Sequence, residues 1–268
     1  MPSLRARIDR GDILIGPMAL IGSPVVIEIF GHIGFDVLFI DTEHAPTSPY
    51  GTELEAMIRA ATAAGIPAIV RPTEPRPGAI LKALNFGAEG IWLTHIQTPE
   101  EAQVAVAACR YPPDGSRSSV PVTRAARYGI EPWDDYRQRV NREVLAMPII
   151  ESAQGIRNVD QIAAVPGVDM LQFGPFDLAT DLGVPPGNFH GTDSAWIDPQ
   201  LEDAFKACAR AAEKHGVGLA TVAWNAESAE RQIEMGAQVI LMGIDLVLLQ
   251  QNTAAVLDSA NALKRANA

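Results

Sequence analysis

The chain has 268 residues, 47% apolar and 20% charged, with a formal net charge of −11. That length suits one α/β barrel of about 250 residues, no apolar run reaches the roughly 18 residues of a membrane helix, and the acidic balance argues against a nucleic-acid groove, which needs a clustered basic face. Cys109 and Cys208 lie in Ala-rich helical patterns, which suits helix interfaces in a reducing compartment better than a disulfide.

The basic start, Met1 to Arg10, runs into Gly11-Asp12 and not into a long apolar segment with a cleavage site, so no secretory signal and a cytoplasmic location are expected. Pro17 to Ile21 reads as a first strand, and Ser23-Pro24 as a helix start. A pattern then recurs in which a helical stretch ends at glycine and a short apolar run follows. Gly34 precedes Asp36–Ile40, Gly65 precedes Pro67–Val70, and Gly87 precedes Gly90–Leu93. Thr98-Pro99-Glu100-Glu101 is a capping box with proline at the first helical position. After an irregular insertion over about 111–142, rich in proline and arginine, Val144–Ile150 reads as the fifth strand. Gly167, Gly216 and Gly236 then introduce Val168–Phe173, Val217–Val222 and Gln238–Met242. Glycine caps a helix in the left-handed conformation, and a short run of apolar residues suits a strand buried on both faces. Eight such strands alternating with helices predict a closed (β/α)8 TIM barrel, one domain over 1–268.

In such a barrel the chemistry lies where strands run into the loops that follow them. Asp41-Thr42-Glu43-His44, Arg71-Pro72, Thr94-His95, Glu151 and Gly174-Pro175-Phe176-Asp177 occupy five of these ends. No lysine does: Lys82, Lys206, Lys214 and Lys264 all fall in helical patterns, which disfavours Schiff-base chemistry and leaves a metal as electrophile. Glu151 and Asp177 suit one hard divalent cation, Mg²⁺ or Mn²⁺ with Co²⁺ as a substitute. On position alone an arginine partner for Glu151 and a helix-capping role for Asp177 remain open. Arg71 suits an enolate oxygen or a structural carboxylate. His44, between acidic neighbours, suits a general base or a purely structural role. His95 ranks below it, and His32, His190 and His215 lower still. The arginines of the insertion, Arg110, Arg117, Arg124 and Arg127, are candidates for recognising an acidic substrate tail, with solvated surface charge as the simpler reading.

"FDVLFIDTEHAP", "AIVRP", "MPIIES" and "GVDMLQFGPFDLATDLG", in this order and spacing, resemble the HpcH/HpaI aldolase family over about residues 10–265. The resemblance implies a class II pyruvate aldolase, a carbon-carbon lyase taking a small 2-oxo acid and an aldehyde. It implies Glu151 and Asp177 as metal ligands, Arg71 as the enolate-stabilising arginine and His44 as the general base. Gly174, Pro175, Phe176 and Asp177 would border the substrate, with the Phe176 N–H meeting the pyruvate carboxylate. It also implies a homo-oligomer, trimer or hexamer, in which the last helix, Asp245 to Ala266, packs on a neighbour.

Three positions depart from the family pattern. Ile149 stands where a substrate-contacting glutamine is frequent, Met18 replaces a common tryptophan, and Asn85 replaces the aspartate expected to pair with the histidine, which would lower its basicity. Competing readings are a CoA-ester lyase of the citrate-lyase β type, oxaloacetate decarboxylation or related enolate chemistry, and a non-catalytic keto-acid binder.

Overall fold

The computed structural model describes residues 2–185 and 198–266; His190 lies outside them. Eight parallel strands close a barrel in sequence order. They are β1 (Leu14–Ala19), β2 (Leu38–Asp41), β3 (Ala68–Arg71), β4 (Gly90–Leu93), β5 (Leu145–Ile150), β6 (Met170–Phe173), β7 (Gly218–Ala223) and β8 (Val239–Ile244). The expected (β/α)8 architecture is therefore present, with strand bounds within three residues of those read from the glycine-punctuated runs.

The helices alternate with them: α2 (Pro24–Ile33), α3 (Thr52–Ala63), α4 (Pro77–Phe86), α5 (Pro99–Cys109), α7 (Ala153–Ala163), α8 (Pro175–Asp181), α9 (Pro199–His215), α10 (Ala226–Glu234) and α11 (Asp245–Ala266). Alternation along each strand divides the core in two. Val37, just before β2, and Phe39 on it point into the barrel while Leu38 and Ile40 meet the surrounding helices. Burial on both faces is why these strands read as unbroken apolar runs. Gly87, at φ 108°, ends α4 in the conformation a side chain would strain. The Thr98 capping box forms in full. Ser23 precedes α2 but makes no side-chain cap bond. Cys109 and Cys208 are free and buried against helices.

Two elements differ from expectation. Helix α1 (Leu4–Asp9) occupies the basic start; Ser3 caps it, and Leu4 and Ile8 join the barrel-interior cluster, so the helix closes the N-terminal end. The insertion is irregular only in its first part, because Trp133–Glu143 forms α6, whose buried Tyr136 and Val140 anchor it to the helical layer.

Asp245 fastens α11 to the end of β1. Its carboxylate is 4% exposed and accepts from the backbone N–H groups of Leu20, Ile21 and Leu246 at 2.7–3.0 Å. Asp245→Ala strands these donors, and a loss of about 2–3 kcal/mol is expected in urea unfolding, while Asp245→Asn retains part of it.

Candidate active site

The strand registers, followed around the barrel, bring Met18, Arg71, Ile149 and Val222 of alternate strands to one interior layer. The Arg71 Nη2 to Met18 Sδ approach of 3.9 Å agrees with it. The next layer toward the mouth holds Asp41, Thr94, Gly174 and Gly243, and its two glycines leave room above Arg71. A Cβ at position 174 would stand 2.7 Å from the Glu151 Cβ and 3.2 Å from its Oε2. Glycine is what lets the β5 and β6 ends approach.

Arg71 is held on two sides. Its Nε and Nη2 donate to the fully buried Asp41 carboxylate at 3.0 and 2.8 Å, a bidentate fork, and Nη1 lies 3.3 Å from Glu43 Oε2. Burial works against the guanidinium charge, but the Asp41 bond and the Glu43 and Glu151 carboxylates outweigh it and raise its pKa. The other Asp41 lone pairs receive the Glu43 and His44 N–H groups at 2.8 and 3.3 Å. Asp41 thus shapes the loop carrying His44, and the His44 ring lies beside Glu43, with Nε2 at 3.7 Å from Oε2.

Sequence reasoning underweighted His95. At φ 56° it adopts a left-handed conformation unusual for a residue with a side chain. Its ring is thereby placed between two acids, with Nε2 2.9 Å from Glu43 Oε1 and Nδ1 3.2 Å from Glu151 Oε1. Its backbone N–H donates to the same Glu151 oxygen at 2.7 Å. Among signals in the sequence, only its strand-end placement pointed to it.

Glu151 is 6% exposed. Burial pushes its carboxyl up to about 7 against the stabilising His95 N–H and ring, with the Asp177 and Glu43 charges pushing the same way as burial. Asp177, in the first turn of α8, is exposed and near enough to be felt. Among the described residues, no three His, Cys, Asp or Glu side chains are grouped as a ready-made metal cage. The two carboxylates nevertheless fit a hard cation that keeps most of its positions for water and substrate: one is buried and reluctant to carry charge alone, the other adjacent and solvated.

The folded Glu151 retains its proton to about pH 7, whereas the unfolded chain releases it near 4.5. Stability without a cation therefore falls as pH rises between those values, by about 3 kcal/mol in all, and the cost is complete above pH 7. Glu151→Gln flattens that slope in denaturant titrations from pH 4.5 to 8.

Asn85 does not approach His44 of the same chain. Helix α4 runs from the mouth back to the N-terminal face, so Asn85, near its C-terminal end, lies at the opposite end of the barrel from His44. Its Oδ1 accepts from Arg117 Nη2 at 3.0 Å. The insertion arginines are likewise away from the mouth. Arg110 pairs with Asp169, just before β6 begins, and Arg117, Arg124 and Arg127 face a cavity beside the start of β3 and β4, so none of them borders this chain's own mouth. All four lysines sit on outer helices, away from the mouth. Phe176 packs edge-on against Trp224 at the rim, with 5.4 Å between ring centres.

Comparison with known proteins agrees with this geometry. The HpcH/HpaI aldolase/citrate lyase family model matches residues 20–252. A hydroxypyruvate/pyruvate aldolase of Paraburkholderia phytofirmans is 33% identical over 256 residues, covering 93% of this chain and 94% of the relative. The 5-keto-4-deoxy-D-glucarate aldolase of Escherichia coli K12 is 32% identical, covering 95% of each. A crystal structure of an HpcH/HpaI aldolase/citrate lyase family protein from Burkholderia cenocepacia J2315 superposes with a TM-score of 0.86 at 32% identity, covering 96% of this chain and 98% of that one. The chain belongs to the HpcH/HpaI aldolase/citrate lyase family, a family of carbon-carbon lyases.

Proposed function

We propose that the protein is a class II aldolase that cleaves or forms the C3–C4 bond of a 4-hydroxy-2-oxo acid, yielding pyruvate and an aldehyde. The observation that carries this reading is the charge balance of the mouth. Asp41 and Glu43 pair with Arg71, Glu43 and Glu151 flank His95, His44 lies beside Glu43, and Asp177 is close enough for Glu151 to feel its charge. One cation between Glu151 and Asp177 relieves that excess. The names of the aldolase relatives support the same chemistry.

When bound, a divalent cation, Mg²⁺ or Mn²⁺ with Co²⁺ as a substitute, supplies Lewis acidity toward the 2-oxo group. Arg71, fixed by the Asp41 fork, sets a positive charge where the 2-oxo oxygen becomes negative, without having to reorganise. His44, exposed and backed by Glu43, takes the proton of the C4 hydroxyl directly or through water as the C3–C4 bond breaks. Gly174 and Pro175 border the substrate carboxylate, the Phe176 N–H at the start of α8 receives it, and Ile149 contributes an apolar floor. His95 holds Glu151 in place through its backbone N–H. No role in proton transfer is assigned to Asn85.

The same reading takes residues 1–268 as one domain of a cytoplasmic homo-oligomer, trimer or hexamer. On α11, Leu246, Leu249, Val256 and Leu257 are each at least half exposed, an apolar row suited to a neighbouring copy. Among the described residues no helix is long and apolar enough to cross a membrane.

Exchange of pyruvate methyl protons with deuterated water, followed by NMR, tests the proposal. Cation-dependent exchange that is lost in Arg71→Met is expected; binding of pyruvate without exchange would reduce the protein to a keto-acid binder.

A further inference from the structure

The mouth of the barrel is divided by polarity. The ionisable side chains that follow or end β2 to β5, namely Asp41, Glu43, His44, Arg71, His95 and Glu151, lie on one half, with Asp177 at its boundary beside Glu151. The other half is apolar. Leu20 follows β1, Phe176 lies in the first turn after β6, Trp224 follows β7 and Ile244 ends β8, and all four pack, partly exposed, on the barrel-interior cluster.

This apolar wall is held in place. Phe176 meets Trp224 edge-on, with ring centres 5.4 Å apart and planes at 72°, an arrangement that aromatic pairs favour. The Trp224 N–H donates to Ser228 Oγ at 3.3 Å, in the capping box that starts α10. Asp245 spends its carboxylate on the Leu20 and Ile21 N–H groups, which holds Leu20 at the end of β8. Beneath lie Met18, Ile149 and Val222, apolar and buried.

No cation serves this half. The stretches 20–35, 174–200, 224–230 and 245–263, which follow β1, β6, β7 and β8, contain no lysine or arginine. Arg71, on the opposite half, already meets Asp41 and Glu43. A carboxylate resting on the wall would leave water without a counterion and lie near Asp177, which is costly. An apolar group gains by leaving water there.

We infer that this half of the mouth is the acceptor wall, that Phe176 and Trp224 are its specificity-determining side chains, and that the aldehyde it takes is uncharged and carries an apolar substituent. The inference rests on the lyase reading and deepens it. In the synthetic direction C3 of the pyruvate enolate bonds to the aldehyde carbon, and the aldehyde oxygen takes a proton to become the C4 hydroxyl. That proton balances the one lost from the pyruvate methyl group. The substituent on C4 then lies against Phe176 and Trp224.

Cation-dependent exchange of pyruvate methyl protons, measured without aldehyde, tests the lyase reading separately. With exchange present, kcat/KM for addition to 4-methylpentanal is expected to exceed that for succinate semialdehyde, in which a carboxylate replaces the isopropyl group, by about tenfold or more. Trp224→Ala and Phe176→Ala each lower that ratio about tenfold, and Trp224→Arg inverts it by supplying the missing cation. Exchange together with a ratio of one or less, or a ratio unmoved in all three variants, would overturn the acceptor wall and leave the lyase reading standing. With exchange absent, saturation-transfer NMR of 4-methylpentanol, which needs no turnover, decides the wall alone. Transfer weakened in Trp224→Ala supports it; no transfer, or equal transfer in the two proteins, overturns it.

Discussion

Glu151→Ala and Asp177→Ala are each expected to lower pyruvate release by about 10³-fold or more, with circular dichroism and the unfolding midpoint showing an intact barrel. The magnitude follows from losing a Lewis acid worth several kcal/mol at 1.36 kcal/mol per tenfold. The two variants separate chemistry from stability. Asp177 is exposed at the start of α8, so its removal leaves the packing untouched. Glu151 is buried with its carboxyl pushed up to about 7, so without a cation its removal relieves a cost above that pH. A variant that loses activity while keeping or gaining stability marks a group retained for function.

Arg71→Met is expected to fail in both respects. Removing a preorganised charge from the developing oxyanion costs about 10²–10³-fold in kcat. It also leaves Asp41, at 0% exposure, as a buried carboxylate without its bidentate partner, which costs about 3–5 kcal/mol. Pairing the change with Asp41→Asn should recover part of the stability and none of the rate, since the amide removes the buried charge and its oxygen still accepts one of the Glu43 and His44 N–H groups, which reach separate carboxylate oxygens. Arg71→Lys keeps the charge but not the two parallel bonds, and should recover part of the stability with a low kcat. Steady-state kinetics beside denaturant titrations of the four proteins check this pattern.

Much of this was legible before any coordinates. The strands were, because burial on both faces leaves short apolar runs that glycine caps set apart. The places of Arg71, Glu151 and Asp177 at the mouth were, because Arg71 ends β3, Glu151 follows β5 directly and Asp177 lies in the first turn after β6. Helix α1 was not, since six residues with two apolar contacts carry too little periodicity to stand out from a basic terminus. His95 was visible as a strand-end residue but not as a link between Glu43 and Glu151, because that depends on a left-handed backbone at 56° that no residue type announces. Asn85 lies far from His44 of its own chain: motif order says which residues accompany a site, whereas the direction of α4 decides which end of the chain's own barrel they reach. The place of the insertion arginines was not legible for a related reason. The path of a long connection depends on what it packs against, here α3, α4 and α6, and charge alone does not disclose it.

The most direct measurement is anomalous diffraction from crystals soaked with Mn²⁺ and pyruvate. One peak within about 2.2 Å of an oxygen from both Glu151 and Asp177, with the pyruvate 2-oxo group completing the coordination and turned toward Arg71, is the result expected. A manganese peak elsewhere, or pyruvate seated in the mouth with those two carboxylates turned away from each other, would contradict it.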